Sequence, residues 1–151
     1  MIDLVLNNLT TDKSYSKDFF EKILQKAIAI LGIGNKKLEI SINLVGRGRI
    51  KALNKKYLRK NRITDVLSFP LTDKTDAKLF QENDIIALGD IFICLPVAKK
   101  QALEKGESLD KQLALLTVHG LLHLLGCDHE KSTKEAKKMY QLQEEILKES
   151  F

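Results

Sequence analysis

Residues 113–129 of this 151-residue chain read LALLTVHGLLHLLGCDH, and they decide the fold. The stretch carries all three histidines of the chain, His119, His123 and His129. Apolar residues surround nearly the whole circumference of a helix drawn through it, which predicts a buried central helix. Because positions four apart lie on one face of a helix, His119 and His123 are expected to project side by side.

The same stretch predicts a metal site. Gly126 is expected to take a left-handed conformation and turn the chain back, so that His129 joins the other two imidazoles. Three histidine ligands with an open position for water are typical of catalytic zinc. A histidine in an apolar segment is more often a core residue with a hydrogen-bond partner. Unpartnered buried imidazoles cost free energy that a metal ligand bond offsets, however, so the metal interpretation is favoured.

The motif HGLLHLLGCDH at residues 119–129 resembles the H-G-x-x-H-x-x-G-x-D-H signature of the YbeY family, bacterial metal-dependent endoribonucleases of ribosomal RNA maturation. TDVLSFP at residues 64–70 matches a second hallmark of that family, and Gly89-Asp90 is similar to a third. With chain length and element order, the resemblance covers essentially the whole chain.

The resemblance implies single-strand-specific RNA cleavage in ribosomal RNA processing and ribosome quality control, in the cytoplasm. It also implies ribosomal RNA, and the ribosome or small-subunit assembly factors, as partners. One zinc ion is the expected cofactor, and three imidazoles also suit nickel, copper or cobalt. Water bound to such an ion has a pKa of about 7, so either water or the ribose hydroxyl can be activated.

Two alternatives stay open on the residues alone. The histidine spacing is shared with metzincin peptidases, but those need a glutamate after the first histidine, where this chain has Gly120. A peptidase would need a carboxylate from elsewhere, such as Asp128 or Asp90. The other alternative is a non-catalytic ribosome-assembly factor with a structural metal. Structural zinc usually has four protein ligands, and Cys127 is the one nearby candidate for a fourth.

A cationic group is also needed to stabilise charge on the phosphate, and arginine suits this because its fork is always charged. In YbeY proteins an arginine follows the tyrosine seven residues before the TDVLSF threonine. Here Tyr57 keeps that spacing, but Leu58 occupies the arginine position and Arg59 comes next. The predicted catalytic set is therefore Arg59 with the three histidines. A continued helix would turn Arg59 away by one residue, or 100°, whereas after the end of the helix either Arg59 or Arg62 can supply the charge; Arg59 is the prediction.

Composition sets the frame for these motifs. The chain is 44% hydrophobic and 30% charged, which is ordinary for one soluble globular domain over residues 1–151. No apolar run approaches membrane-spanning length, no signal-peptide pattern is present, and two cysteines suit a reducing cytosol. The net charge is +5, and residues 47–62 hold eight basic residues and no acidic one. This segment is either a phosphate-facing patch or a solvated helix face.

Periodicity predicts an α/β fold: a mixed sheet of about four strands packed against helices, with the histidine helix central. The predicted strands are residues 1–6, 37–45, 64–70 and 85–95, and the helices are residues 16–31, 47–58, 96–105, 109–125 and 133–148. Gly89 within a strand predicts a bulge or a close backbone approach. Pro70 predicts that the far end of its strand lies at an edge or leaves the sheet.

Four further features of the sequence each have two explanations. Gly120 provides room for a metal-bound water and a phosphate, or permits close packing by a neighbouring element. Asp128 orients a histidine or accepts a proton, or else braces the turn, whereas Asp65 and Asp90 are structural or functional. Residues 71–84 are polar and long for a connection, as expected of a functional lid or a mobile loop.

Overall fold

The computed structural model describes residues 1–71, 84–127 and 132–150, without the side chains of residues 149 and 150. Within these ranges the elements are β1 (Ile2–Asn8), α1 (Lys17–Leu31), β2 (Lys37–Val45), α2 (Arg47–Leu58), β3 (Val66–Pro70), β4 (Ile85–Cys94), α3 (Leu95–Lys105), α4 (Leu109–Leu124) and α5 (Thr133–Ser150). The predicted loop at residues 71–84 lies almost wholly outside the described residues.

The four strands form one mixed sheet in the order β1-β2-β4-β3. β1, β2 and β4 run parallel, and β3 pairs antiparallel with β4 at the edge, as Pro70 predicted. β3 begins two residues later than predicted. The carbonyl of Asp65 still accepts a hydrogen bond from the Cys94 N–H (2.8 Å), directly before the first ladder pair of Val66 with Ile93. The predicted fold class is confirmed.

One face of the sheet carries the main hydrophobic core. Side chains alternate between the two faces of a strand, and the inward set of β2 meets α1, α4 and α5. α4 packs against β3, β4 and all three of α1, α3 and α5, and Leu113, Val118 and Leu121 in it are fully buried. The prediction of a central buried helix is confirmed. Among the described helices, none combines the length and apolar character needed to span a bilayer.

The other face of the sheet carries α2 and a smaller core. Ile50 of α2 is fully buried with Val45, Leu67 and Cys94, and half-buried residues pack around them. α2 and α4 therefore lie on opposite faces of the sheet. α2 buries only Ile50 and Asn54, which leaves its basic side chains on the surface.

Gly89 produces both features predicted for it. The pairing register between β2 and β4 shifts between Glu39 and Ile40, because Leu88 is an extra residue in β4, and this marks a β-bulge directly before Gly89. Its φ is +136°, and a Cβ built there would overlap the carbonyl oxygen of Phe69 and lie 3.1 Å from Leu124 Cδ2. Only glycine fits this position without strain. The bulge brings β3, β4 and the end of α4 together.

Candidate active site

The histidine pair lies near the end of α4, a helix capped at its start by Ser108, whose Oγ accepts the Lys111 N–H (3.1 Å). His119 and His123 occupy consecutive turns, with ring centroids 4.6 Å apart and planes inclined by 64°. Their Nε2 atoms lie 3.1 Å apart. Both side chains are half-buried in an otherwise buried helix, so the pair is reachable from outside. The side-by-side projection is confirmed.

Gln143 of α5 fixes the orientation of His119. Its Oε1 lies 2.6 Å from His119 Nδ1, and the residue is 8% exposed. Because an amide oxygen only accepts, Nδ1 carries the hydrogen and donates it, and Nε2 is then the ring nitrogen that can act as an acceptor or ligand. A partner of this kind sets the tautomer of a metal-binding histidine.

Sequence analysis missed Gln143, although a signal for it existed. The predicted apolar face of the last helix was Ala136, Met139, Tyr140, Leu142 and Ile146. Tyr140 was wrongly included, since it is 61% exposed, and the buried set is instead Met139, Gln143, Ile146 and Leu147. A polar residue at a core position of an amphipathic helix needs a buried partner, and here that partner is a site histidine.

The third predicted ligand, His129, and its neighbour Asp128 lie outside the described residues. Within residues 1–71, 84–127 and 132–150, no three histidine, cysteine, aspartate or glutamate side chains are placed to hold a metal. Gly126 has a φ of +100° and donates its N–H to His123 O (3.0 Å), so the chain turns after α4 as predicted. The Nε2 atoms of His119 and His123 face each other, and the tautomer of His119 is fixed by Gln143. Imidazole nitrogens held in this way suit a transition metal such as zinc.

Gly120, between the two histidines, is explained by packing. A Cβ added there would lie only 2.8 Å from Ile91 Cγ2 and 2.9 Å from Ile91 Cδ1. Ile91 is itself fully buried. Ser68 Oγ of β3 also donates to the Gly120 carbonyl (3.3 Å). The structure thus supports close packing against the sheet as the reason for this glycine, and that packing fixes the distance of the histidine pair from β3 and β4.

The two other aspartates of the motifs have structural partners. Gln101 Nε2 donates to Asp65 Oδ2 (3.1 Å), which ties the start of β3 to α3. Asp90 accepts a hydrogen bond from Ser41 Oγ on β2. Since Ile91 faces α4, its neighbour Asp90 points to the opposite face, away from the histidine pair. Asp90 is therefore not placed to serve as the carboxylate that a peptidase would need.

Arg59 stands at the end of α2. The helix ends at Leu58, and Arg59 is exposed with a φ of +57° at the C-cap, so it falls outside the helical repeat. Asn54, a 2% exposed residue that sequence analysis overlooked, holds the segment that follows. Its side-chain Nδ2 donates to the backbone carbonyl of Arg62 (3.1 Å), and its backbone carbonyl accepts a hydrogen bond from the Lys60 N–H (3.2 Å). The catalytic role of Arg59 stays a prediction.

The fold and the site define a class: small α/β proteins whose central buried helix presents a pair of imidazoles. A profile of the family described as Endoribonuclease YbeY matches residues 4–150. Endoribonuclease YbeY of Persephonella marina is 41% identical over 144 residues, covering 95% of this chain and 90% of that protein. Endoribonuclease YbeY of Aquifex aeolicus is 40% identical over 131 residues, covering 87% and 81%.

A solved structure agrees with these relatives. The solution structure of TM1509 from Thermotoga maritima matches with a TM-score of 0.64 at 28% identity, covering 99% of this chain and 88% of that one. The chain belongs to the Endoribonuclease YbeY family. The resemblance read from the motifs is confirmed, and with it the prediction of an endoribonuclease.

Proposed function

We propose that this protein is a single-strand-specific, metal-dependent endoribonuclease that processes ribosomal RNA and acts in ribosome quality control in the cytoplasm. One observation carries the metal-dependent part of the proposal. The Nε2 atoms of His119 and His123 face each other at 3.1 Å while Gln143 holds His119 in one tautomer. The chain belongs to the Endoribonuclease YbeY family, and we assign the reacting phosphate to this pair.

His119, His123 and His129 would hold one zinc ion, or another divalent transition metal such as nickel. When bound, the ion would supply a Lewis acid and a source of base or nucleophile at neutral pH. Gln143 orients the first histidine, and the packing of Gly120 on Ile91 holds the helix at a fixed depth. Either water or the ribose 2′-hydroxyl serves as the attacking group.

The basic segment of residues 47–62 would hold the RNA backbone. The segment contains no acidic residue, its eight cationic side chains are all exposed, and the five that belong to α2 lie on the face of the sheet that α2 covers. Arg59 would contact the phosphate whose charge develops during cleavage, because its fork binds phosphate oxygens bidentately. Ribosomal RNA, and the ribosome or small-subunit assembly factors, are the proposed partners.

Metal removal tests the proposal. A chelator is expected to abolish cleavage of a single-stranded RNA by the purified protein, and one equivalent of zinc, measured by elemental analysis, is expected to restore it. Reloading the metal-free protein with nickel or cobalt in the same way ranks the metals by the cleavage that each restores. Cleavage that continues unchanged in excess chelator would contradict the proposal.

The same experiment separates the non-catalytic alternative, in which the metal is structural. In that case, chelation would lower the melting temperature sharply, and neither the metal-loaded nor the metal-free protein would cleave RNA. The half-buried rather than enclosed histidine pair favours the catalytic reading.

Arg59→Ala is expected to lower RNA cleavage at saturating RNA by about a hundredfold, the usual loss when a group that stabilises transition-state charge is removed. Arg62→Ala is the matched control, because it removes the same charge from the same segment. It is expected to weaken RNA binding by less than about tenfold and to leave the rate at saturation unchanged. Single-turnover cleavage and binding titrations measure the two effects. Full cleavage by Arg59→Ala would show that the assignment of Arg59 is wrong.

A further inference from the structure

An aromatic row crosses the face of the sheet that carries α2. The ring centroids of Tyr57 and Phe69 are 5.4 Å apart and those of Phe69 and Phe92 are 5.7 Å apart, both in edge-to-face geometry. Phe69 and Phe92 are half-buried against the smaller core, whereas Tyr57 is 56% exposed. The row therefore ends in an open ring whose position is fixed by the rings behind it.

A cation and an acid-free basic segment accompany this open ring. Lys56 Nζ lies 5.1 Å from the centroid of Tyr57, and residues 47–62 contain no acidic side chain. A shallow groove of about 380 Å³ runs along the same helix and is lined by Gly48, Arg49, Ala52, Leu53 and Lys56. The charge and the groove suit a polyanion lying along α2 beside the ring.

The aromatic row and the histidine pair flank the same edge strand. Ser68 and Phe69 are consecutive in β3 and point to opposite faces. Ser68 bonds to the Gly120 carbonyl between the two histidines, while Phe69 contacts Tyr57. β3 is also the outermost strand of the described sheet. The histidine pair and Tyr57 therefore lie on opposite faces of the sheet, on either side of β3.

We propose that Tyr57 stacks on a base of single-stranded RNA, with Lys56 and Arg49 holding the adjacent phosphates. Stacking on an aromatic ring accepts any base, and the cations add affinity that is independent of sequence. Bases within a duplex are already stacked on each other, so this site selects single strands. The inference rests on the proposed function for its class of ligand and extends it to a binding site on the opposite face of the sheet.

The proposal is tested by binding in the presence of a chelator, so that RNA is not consumed. The chain has no tryptophan, and Tyr57→Trp therefore introduces a single reporter that an unlabelled single-stranded hexaadenylate is expected to quench. Tyr57→Ala is expected to weaken binding of a labelled ten-nucleotide RNA by about tenfold, and Tyr57→Phe to leave it unchanged. Tyr140→Ala, at a tyrosine that is 61% exposed on α5, is the matched control and should bind like the original protein.

An oligomer of the same length whose riboses lack bases separates stacking from charge. It should bind the original protein and Tyr57→Ala equally. Equal affinity of both proteins for the base-containing RNA, with melting temperatures matched, would overturn the proposal. An equal loss of affinity in Tyr57→Ala for the base-containing and the base-free oligomer would overturn the proposal as well.

Cleavage of the same RNA by the zinc-loaded protein distinguishes this failure from failure of the proposed function. Cleavage without any quenching of Tyr57→Trp refutes stacking alone. A different outcome is quenching of Tyr57→Trp and the expected loss of RNA affinity in Tyr57→Ala, but no cleavage by the zinc-loaded protein. That outcome supports stacking and refutes the nuclease mechanism.

Discussion

His123→Ala is expected to remove both the bound metal and RNA cleavage, with a loss in rate of at least about a thousandfold. The variant deletes one of the two Nε2 atoms that face each other at 3.1 Å, so no bidentate imidazole pair remains. The side chain is half-buried near the end of α4, and its removal should leave the fold intact. Elemental analysis, circular dichroism and a single-turnover cleavage assay measure the three quantities. Retained metal and retained cleavage would show that the pair is not the site.

A graded companion tests the role of the supporting amide. Gln143→Leu removes the acceptor of the His119 Nδ1 hydrogen without removing a ligand, and metal affinity is expected to fall by about 10- to 100-fold. Excess zinc should then restore cleavage, as it cannot in His123→Ala. Gln112→Leu is the matched control, because Gln112 is a 2% exposed glutamine of α4 that bonds to Gln101 instead of a histidine. Gln112→Leu should lower stability and leave metal affinity unchanged.

Gly89→Ala is expected to destabilise the protein by about 3–5 kcal/mol, among the largest effects of a single substitution. The new Cβ would overlap the Phe69 carbonyl and press on Pro70 Cα at 3.0 Å, and both are backbone atoms that cannot rotate away. The φ of +136° adds strain for any residue with a side chain. A fall in melting temperature of about 10 °C, measured by calorimetry, is the expected result.

Gly48→Ala is the matched control for Gly89→Ala. Gly48 lies in α2, and a Cβ added there meets nothing within 4 Å. Alanine should therefore stabilise the helix by about 0.5–1 kcal/mol. If the free energy of unfolding of Gly89→Ala lay within about 1 kcal/mol of that of the original protein, the close approach of β3 to the bulge would not depend on glycine.

Most of the architecture was predictable from local patterns. Alternation in β2 and the apolar girdle of α4 report directly which face each residue buries, so both elements have the predicted starts. The edge position of β3 followed from Pro70, and the bulge from Gly89, because each residue limits the backbone in a specific way. The pairing order of the strands was not predicted, since contacts between distant segments leave no local period.

The candidate site was predictable only where its chemistry is local. His119 and His123 are four residues apart, and helix geometry alone places them together. Gln143 lies 24 residues from the histidine it supports, so no spacing rule connects the two. Tyr140 was misplaced because tyrosine counts as apolar in a periodicity argument although its hydroxyl is at home in water. Asn54 was hidden within a segment read only for its charge.

The position of β4 in the sheet has a consequence for how the chain folds during synthesis. β4 lies between β2 and β3, and the core it shares with α4 draws on residues from Ile2 to Leu147. A nascent chain that ends after β2 can therefore pair only β1 with β2, and the apolar face of that pair is not yet covered by α4. The roughly eighty residues from Val45 to Leu124 take on the order of 4–16 s to synthesise. During that interval the unpaired edge of β2 is open to aggregation, and chaperones are expected to bind the emerging N-terminal half.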